Sequence, residues 1–227
     1  MRTLLTFTKT DKMRFLSHLD VVRLFRRAFR RANIDICYTE GYNPQQKIAV
    51  TNPLPLGYES TMEFMMIETE TPFTEEKREA LNRQLPQGFS VPAARVPGEG
   101  FDLHTHFVTS TYAWTKITEE EAEDLLQKIE SLLAKDSLIL HQERMKKGKL
   151  RRREKEIRPL IHEAKITDGV LETTLSSFDA QTLRPGDLLA YLRQEEFATP
   201  AYVVFRRVLQ SGATDAESCN REASVVS

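Results

Sequence analysis

The stretch Ser17-His18-Leu19-Asp20-Val21-Val22-Arg23-Leu24-Phe25-Arg26-Arg27-Ala28-Phe29-Arg30-Arg31-Ala32-Asn33 decides how the first half of the chain is read. Ser17 and Asp20 have the spacing of a capping box, with Asp in place of the usual Glu or Gln at the third helical position. A helix is predicted from there to about Asn33. At about 100° per residue, Val22, Phe25, Ala28, Phe29 and Ala32 share one stripe. Arg23, Arg27, Arg30 and Arg31 gather on the other side, with Arg26 at the edge.

The flanks read as strands. Leu4, Leu5 and Phe7 among Thr3, Thr6 and Thr8 suit a short strand before the helix. After it come a strand at 34–38, the loop Glu40-Gly41-Tyr42-Asn43-Pro44 and a short strand at 47–51. Pro53 and Pro55 forbid a long helix and argue for an edge or an irregular crossing. A strand at 62–69, a Thr74-capped helix at 74–85 and a strand at 88–96 follow. The order β-α-β-β-α-β is that of a ferredoxin-like unit.

Pro97-Gly98-Glu99-Gly100 punctuates the chain, and the pattern begins again. Strands are predicted at 107–117 and 137–141, with an acidic-fronted helix at 118–134 between them. A hairpin at 160–167 and 170–176 turns at Asp168-Gly169, then come a helix at 185–194 and a strand at 202–209. The fold class is therefore α+β, two tandem ferredoxin-like (βαββαβ) domains at 1–98 and 99–209. The second carries a basic connector at 144–156. Residues 210–227, poor in apolar residues, are expected to be a disordered tail.

Composition narrows the function. Among 227 residues, 40% are hydrophobic and 29% charged, which excludes a wholly disordered chain. Lys+Arg 32 against Asp+Glu 33 leaves a net charge of -1 and excludes a uniformly basic nucleic-acid protein. The signs are segregated, however. Glu119, Glu120, Glu121, Glu123 and Asp124 front one helix, where they compensate its dipole and offset the basic runs. There are only two cysteines, Cys37 and Cys219, far apart and the second in the polar tail, and neither a disulfide framework nor a cysteine zinc site can be built from them. The N-terminus lacks a signal-peptide pattern and no apolar run is long enough to span a bilayer, so a cytoplasmic protein with no membrane partner is expected.

Two stretches are distinctive together: Phe15-Leu16-Ser17-His18-Leu19-Asp20 leading into the arginine helix, and Tyr38-Thr39-Glu40-Gly41-Tyr42-Asn43-Pro44 continuing to Pro53-Leu54-Pro55-Leu56-Gly57. They resemble the radical-SAM-linked family, bacterial proteins of unknown function encoded beside, or fused to, a radical SAM protein. Gln45 and Gln46 stand where members of that family often carry a His-Pro pair. The resemblance implies a radical SAM protein as partner. The paired-unit plan is also similar in architecture to the CRISPR repeat-processing endoribonucleases, without their C-terminal glycine-rich segment.

Several constellations could carry chemistry. Arg23, Arg27, Arg30 and Arg31 form a basic face for phosphate or an acidic partner, or else a solvated helix surface. A second basic run comprises Arg144, Lys146, Lys147, Lys149, Arg151, Arg152, Arg153 and Lys155 and reads as an RNA-contacting arm or a solvated connector. In the loop, Tyr42 could stack on a base while Asn43, Gln45 and Gln46 read its edge and Lys47 adds charge. The alternative there is a turn in which Gly41 takes positive φ. His18 lies over the apolar stripe and reads as a structural histidine packed against Phe25 and Phe29, or as an acid–base group facing the Tyr42 loop. His104 and His106 lack a third metal ligand.

No Walker loop, dinucleotide fingerprint, nucleophile elbow or iron–sulfur cysteine pattern appears, so no cofactor or metal is expected. The leading expectation is a non-catalytic companion of a radical SAM enzyme that binds or presents a substrate, RNA. The binding residues would be Arg23, Arg27, Arg30, Arg31, Tyr42, Asn43, Lys47, Arg151, Arg152 and Arg153. The alternatives are a metal-independent endoribonuclease with His18 as acid or base and Lys47 stabilising charge, and a structural protein–protein interaction module.

Overall fold

Alternation of apolar residues makes Arg2–Lys9 the first strand, β1, whose Leu4, Leu5 and Phe7 are all buried. A 3₁₀ turn, Asp11–Phe15, leads to Ser17, whose hydroxyl accepts the Asp20 amide at 3.2 Å and caps helix α1, His18–Arg31. The helix stops two residues before the expected Asn33. Asn33 lies outside it at φ 53, with Ile34 N donating to Phe29 O at 3.0 Å and Asn33 N to Arg30 O at 3.3 Å. This pair of bonds satisfies the last carbonyls in a Schellman arrangement. Val21, Phe25, Ala28 and Phe29 form the buried stripe, so Val21 takes the place expected for Val22, which is half-buried.

The structure is a computed structural model that describes residues 1–51, 53–146, 149–177, 181–195 and 204–210. These form a mixed α+β chain with five α-helices, divided into two units, Met1–Phe107 with Arg206–Ser227, and Val108–Phe205.

In the first unit, β2 (Ile48–Val50), β3 (Glu59–Glu68), helix α2 (Glu75–Asn82) and β4 (Phe89–Arg95) follow α1. The sheet order is β4-β1-β3-β2 and every neighbour is antiparallel. The expected strand at 34–38 reduces to two isolated bridges, Ile36 with Thr69 and Tyr38 with Gln46. Leu5, Phe7, Met65, Ile67, Phe89 and Val91 face α1 and α2, and Phe7, Phe25 and Phe89 meet edge-to-face or tilted. The opposite face buries Leu4, Phe64 and Met66 under a short helix, α3 (Leu103–His106), with Phe64 and Phe107 stacked at 4.1 Å. The unit thus runs past 97–100 to Phe107, because these side chains cover its second face. His104 and His106 lie in α3.

The second unit has β5 (Thr109–Thr115), helix α4 (Glu119–Leu133), β6 (Ile139–Lys146), β7 (Lys149–Glu156), β8 (Ile161–Thr167), β9 (Val170–Ser176) and helix α5 (Pro185–Gln194). Thr118 and Glu121 close a full capping box at the head of α4. β5, β9 and β8 form an antiparallel sheet, and Trp114 donates its indole proton to Thr173 Oγ1 at 3.0 Å. The basic segment 144–156 is not a connector. It belongs to β6 and β7, which pair with each other from Ile139–Glu156 to Lys146–Lys149 as a separate two-stranded ribbon. The strand expected at 137–141 is consequently spent in that ribbon and not in the three-stranded sheet.

The final strand, β10 (Val204–Gln210), does not simply close the second unit as expected. Its Arg206–Val208 pair in parallel with Glu59–Met62 of β3, on the stretch of β3's edge that β2, opposite Met65–Ile67, leaves free. An open edge of backbone donors and acceptors is the physical reason for that pairing. The expected tail therefore begins inside a strand at Gln210, and the rest of it, 211–227, lies outside the described residues.

Candidate functional site

The helix-packed face of the first unit ends in charge. Along β1 the inward positions run Leu5, Phe7, Lys9, and along β3 they run Ile67, Met65, Glu63. Lys9 and Glu63 are each only 2% exposed. With His18, Phe7, Val21, Val50 and Leu54 they line a recess of about 20 Å³, room for about one water. Nearby, Lys9 Nζ donates to the Leu16 carbonyl at 2.8 Å, and Arg14 Nη1 donates to the buried Glu59 Oε1 at 3.2 Å. Withdrawing this many ionisable groups from water costs several kcal/mol per ion unless they are compensated. Such clusters are candidates for function.

Local sequence builds the recess. Thr10 N donates to Gly88 O at 2.8 Å, starting the 3₁₀ turn that carries Arg14, and the Ser17 cap then aims the first turn of α1 at β3. On the other side, Gly57 at φ 85 donates its amide to Arg14 O at 2.9 Å, which seats 53–57 against the turn and buries Leu54. Of the two stretches singled out in the sequence, 15–20 reaches the recess through His18, and 38–44 continuing to 53–57 reaches it through Leu54.

His18 is half-buried in its wall. Burial holds the imidazole below its ordinary value of 6.5, Glu63 opposes that shift and Lys9 adds to it. Burial wins, so the ring is neutral at pH 7. Its neighbours in the recess are Phe7 and Val21, whereas Phe25 and Phe29 were the expected ones.

The loop residues lie elsewhere. Thr39 N donates to Gln45 O at 2.8 Å and closes a short hairpin, with Gly41 at φ 123 and Tyr42 fully exposed at its tip. Asn43 Oδ1 accepts from Gln45 Nε2 at 3.3 Å, and Lys47 Nζ pairs with Glu68 Oε1 at 3.1 Å. Glu68 is five residues along β3 from Glu63 and on the opposite face, roughly 17 Å away by strand rise. His18 and Lys47 are thus not brought together.

The arginines of α1 divide. Arg23 pairs with Asp20 at 3.2 Å, and Arg31 donates to the Gln84 carbonyl at 3.0 Å. Arg27 and Arg30 are exposed and, among the described residues, paired with no carboxylate. In the second unit Arg152 donates to Glu143 Oε1 at 2.8 Å, and Arg153 is exposed opposite Gln142. Arg151 stands opposite Arg144.

Sequence reasoning missed Lys9, Arg14, Glu59 and Glu63. The signal for two of them was present: period-two alternation from Leu5 and Phe7 puts Lys9 on the core side, and from Ile67 and Met65 it puts Glu63 there. Among the described residues no cluster of His, Cys, Asp and Glu could hold a metal, and no helix is long and apolar enough to cross a membrane.

A family model described as "Uncharacterized protein conserved in bacteria (DUF2344)" matches residues 2–185. The chain belongs to this family. No curated protein matches it. Among solved structures it is similar to an unknown protein from Galdieria sulphuraria, at 11% identity over 93% of this chain and 98% of that one, with a TM-score of 0.27. It is also similar to a "putative glycine cleavage system transcriptional repressor", at 11% identity over 93% and 98% of the two chains, with a TM-score of 0.25.

Proposed function

We propose that this chain is a non-catalytic companion of a radical SAM enzyme that binds and presents RNA as substrate. The observation that carries the reading is the row Arg23, Arg27 and Arg30 on the outward face of α1, with Arg27 and Arg30 uncommitted to any carboxylate among the described residues. Guanidinium groups held on a rigid helix suit backbone phosphates. Tyr42, fully exposed at the tip of its hairpin, adds a stacking surface. The scaffold we assign to this role is ferredoxin-like, supported in the first unit by the order β4-β1-β3-β2. The radical SAM partner is supported by the resemblance of 15–20 and of 38–44 continuing to 53–57.

The test is RNA binding by the full chain over a range of salt. Arg23→Glu, Arg27→Glu and Arg30→Glu together should abolish it without unfolding the protein, because surface changes of this type shift stability by about 0.5 kcal/mol or less. A triple variant that binds RNA and the partner as the wild type does makes this face merely solvated.

A second reading, metal-independent RNA cleavage, is favoured by the placement of a neutral His18 beside Lys9 and Glu63. In it His18 is the general base and Lys9, not the distant Lys47, supplies positive charge. Cleavage of a labelled RNA by the purified chain, lost in His18→Ala, separates it from the first.

A further inference from the structure

The two units treat the outer strands of their sheets differently. In the first unit, two side chains of α2 occupy the outer edge of β4. Val91 N donates to Asn82 Oδ1 at 2.7 Å, and the Val91 carbonyl accepts from Asn82 Nδ2 at 3.0 Å and Arg78 Nη1 at 2.7 Å. Pro92, next along, has no N–H to offer. That edge is closed to another strand. In the second unit β8 is the outer strand, paired to β9 along one side. It holds no proline, and among the described residues no group outside β9 hydrogen-bonds the backbone of 161–167.

The side chains of this open strand suit a second copy of it. Open edges are ordinarily defended by lysines or other charges that repel an identical strand. β8 carries instead Glu163 and Lys165, opposite signs two positions apart, both exposed and 3.1 Å from each other. That spacing puts them on one face. A two-fold axis perpendicular to the sheet sets each residue of an antiparallel pair opposite one on the same face. With the axis at Ala164, Glu163 of each copy stands opposite Lys165 of the other. An axis at 163 or at 165 would set Glu163 against Glu163 or Lys165 against Lys165. Opposite charges across a strand pair stabilise it and like charges oppose it, so charge selects one register. On the other face Ala164 and Ile166 are half-buried, opposite Thr173 and Leu171 of β9, which are fully buried. A sheet continued into a second copy extends that buried side.

We propose that two copies of this chain associate through β8, paired antiparallel about Ala164. The pairing is independent of RNA binding and of the arginine face of α1. A bulge at His162, whose ring is hydrogen-bonded to Ser176 Oγ at 2.8 Å, interrupts the start of the strand and keeps the shared ladder to a few residues. Interfaces this small belong to the weak, transient class, so the dimer forms at micromolar to millimolar concentration.

The experiment is sedimentation velocity of the full chain across that range. The wild type should shift from monomer to dimer as concentration rises. Glu163→Lys or Lys165→Glu alone turns both opposite-charge pairs into like-charge pairs and should weaken association by roughly tenfold or more. Mixed in equal amounts, the two variants should associate again, because the cations of one then face the carboxylates of the other. Glu163→Lys with Lys165→Glu in one chain should likewise restore the dimer. These side chains are exposed, so thermal melts of the variants should overlay the wild type. If a variant fails to fold, amide exchange in the wild type carries the test: exchange across 163–167 should slow as protein concentration rises.

A wild type that stays monomeric to millimolar concentration overturns the proposal. So does a dimer that both single reversals leave intact, or exchange in β8 that ignores concentration. Variants that stay apart when mixed, beside a wild type that dimerises, overturn the pairing of Glu163 with Lys165.

Discussion

Glu63 stands directly across the β1–β3 pair from Phe7, on the face that buries Leu5, Met65 and Ile67. A carboxylate 2% exposed at the end of an apolar layer has lost its hydration and must be held by its surroundings. His18 and Lys9 line the same recess, and their influences on the imidazole have opposite signs.

That opposition is measurable. In Glu63→Gln the titration of His18, followed by its ring proton resonances, should move to lower pH, because the group that raises it is gone. In Lys9→Met it should move up. Shifts in the same direction in both variants would show that burial alone governs the ring.

Stability should also depend on pH through His18. Its folded value lies below the ordinary 6.5 that the unfolded chain keeps. Between the two values the unfolded state holds more protons, so stability rises with pH across that window and is lost as pH falls from 6.5 towards the folded value. His18→Gln should flatten this part of the curve in urea melts between about pH 5 and 7. An unchanged slope in the variant assigns the dependence to other groups.

Gly88 should be irreplaceable. It sits at φ 93, and a Cβ there would lie 2.7 Å from the Thr10 carbonyl oxygen and 2.9 Å from Met13 Cγ. Gly88→Ala should cost about 1–3 kcal/mol in thermal or denaturant melts. Amide exchange should quicken across 10–16, the turn that carries Arg14, because its first hydrogen bond is to Gly88 O.

Tyr42 separates surface from scaffold. Its side chain is fully exposed, so Tyr42→Ala should leave the melting curve within about 0.5 kcal/mol of the wild type. If the ring stacks on a base, RNA affinity should fall by about 1–3 kcal/mol. Unaltered affinity would confine the loop to a structural turn.

What the sequence alone determined is what short-range chemistry governs. Helix α1 could be placed because Ser17, Asp20 and the apolar stripe are a few residues apart, and its end missed by two residues because Asn33 in the left-handed region is a choice made by the closing bonds to Phe29 and Arg30. The α+β class was legible for the same reason. The tertiary structure alone decided which edges pair. Parallel pairing of β10 with β3 joins residues more than a hundred positions apart, and no local pattern in 204–210 names that partner. The ribbon likewise depended on register, since a basic run reads as a solvated segment until Arg144 is seen opposite Arg151. The recess lay between these extremes: alternation pointed Lys9 and Glu63 inward, but only the close approach of β1, β3, the first turn of α1 and 53–57 could show that a histidine and a leucine wall them in.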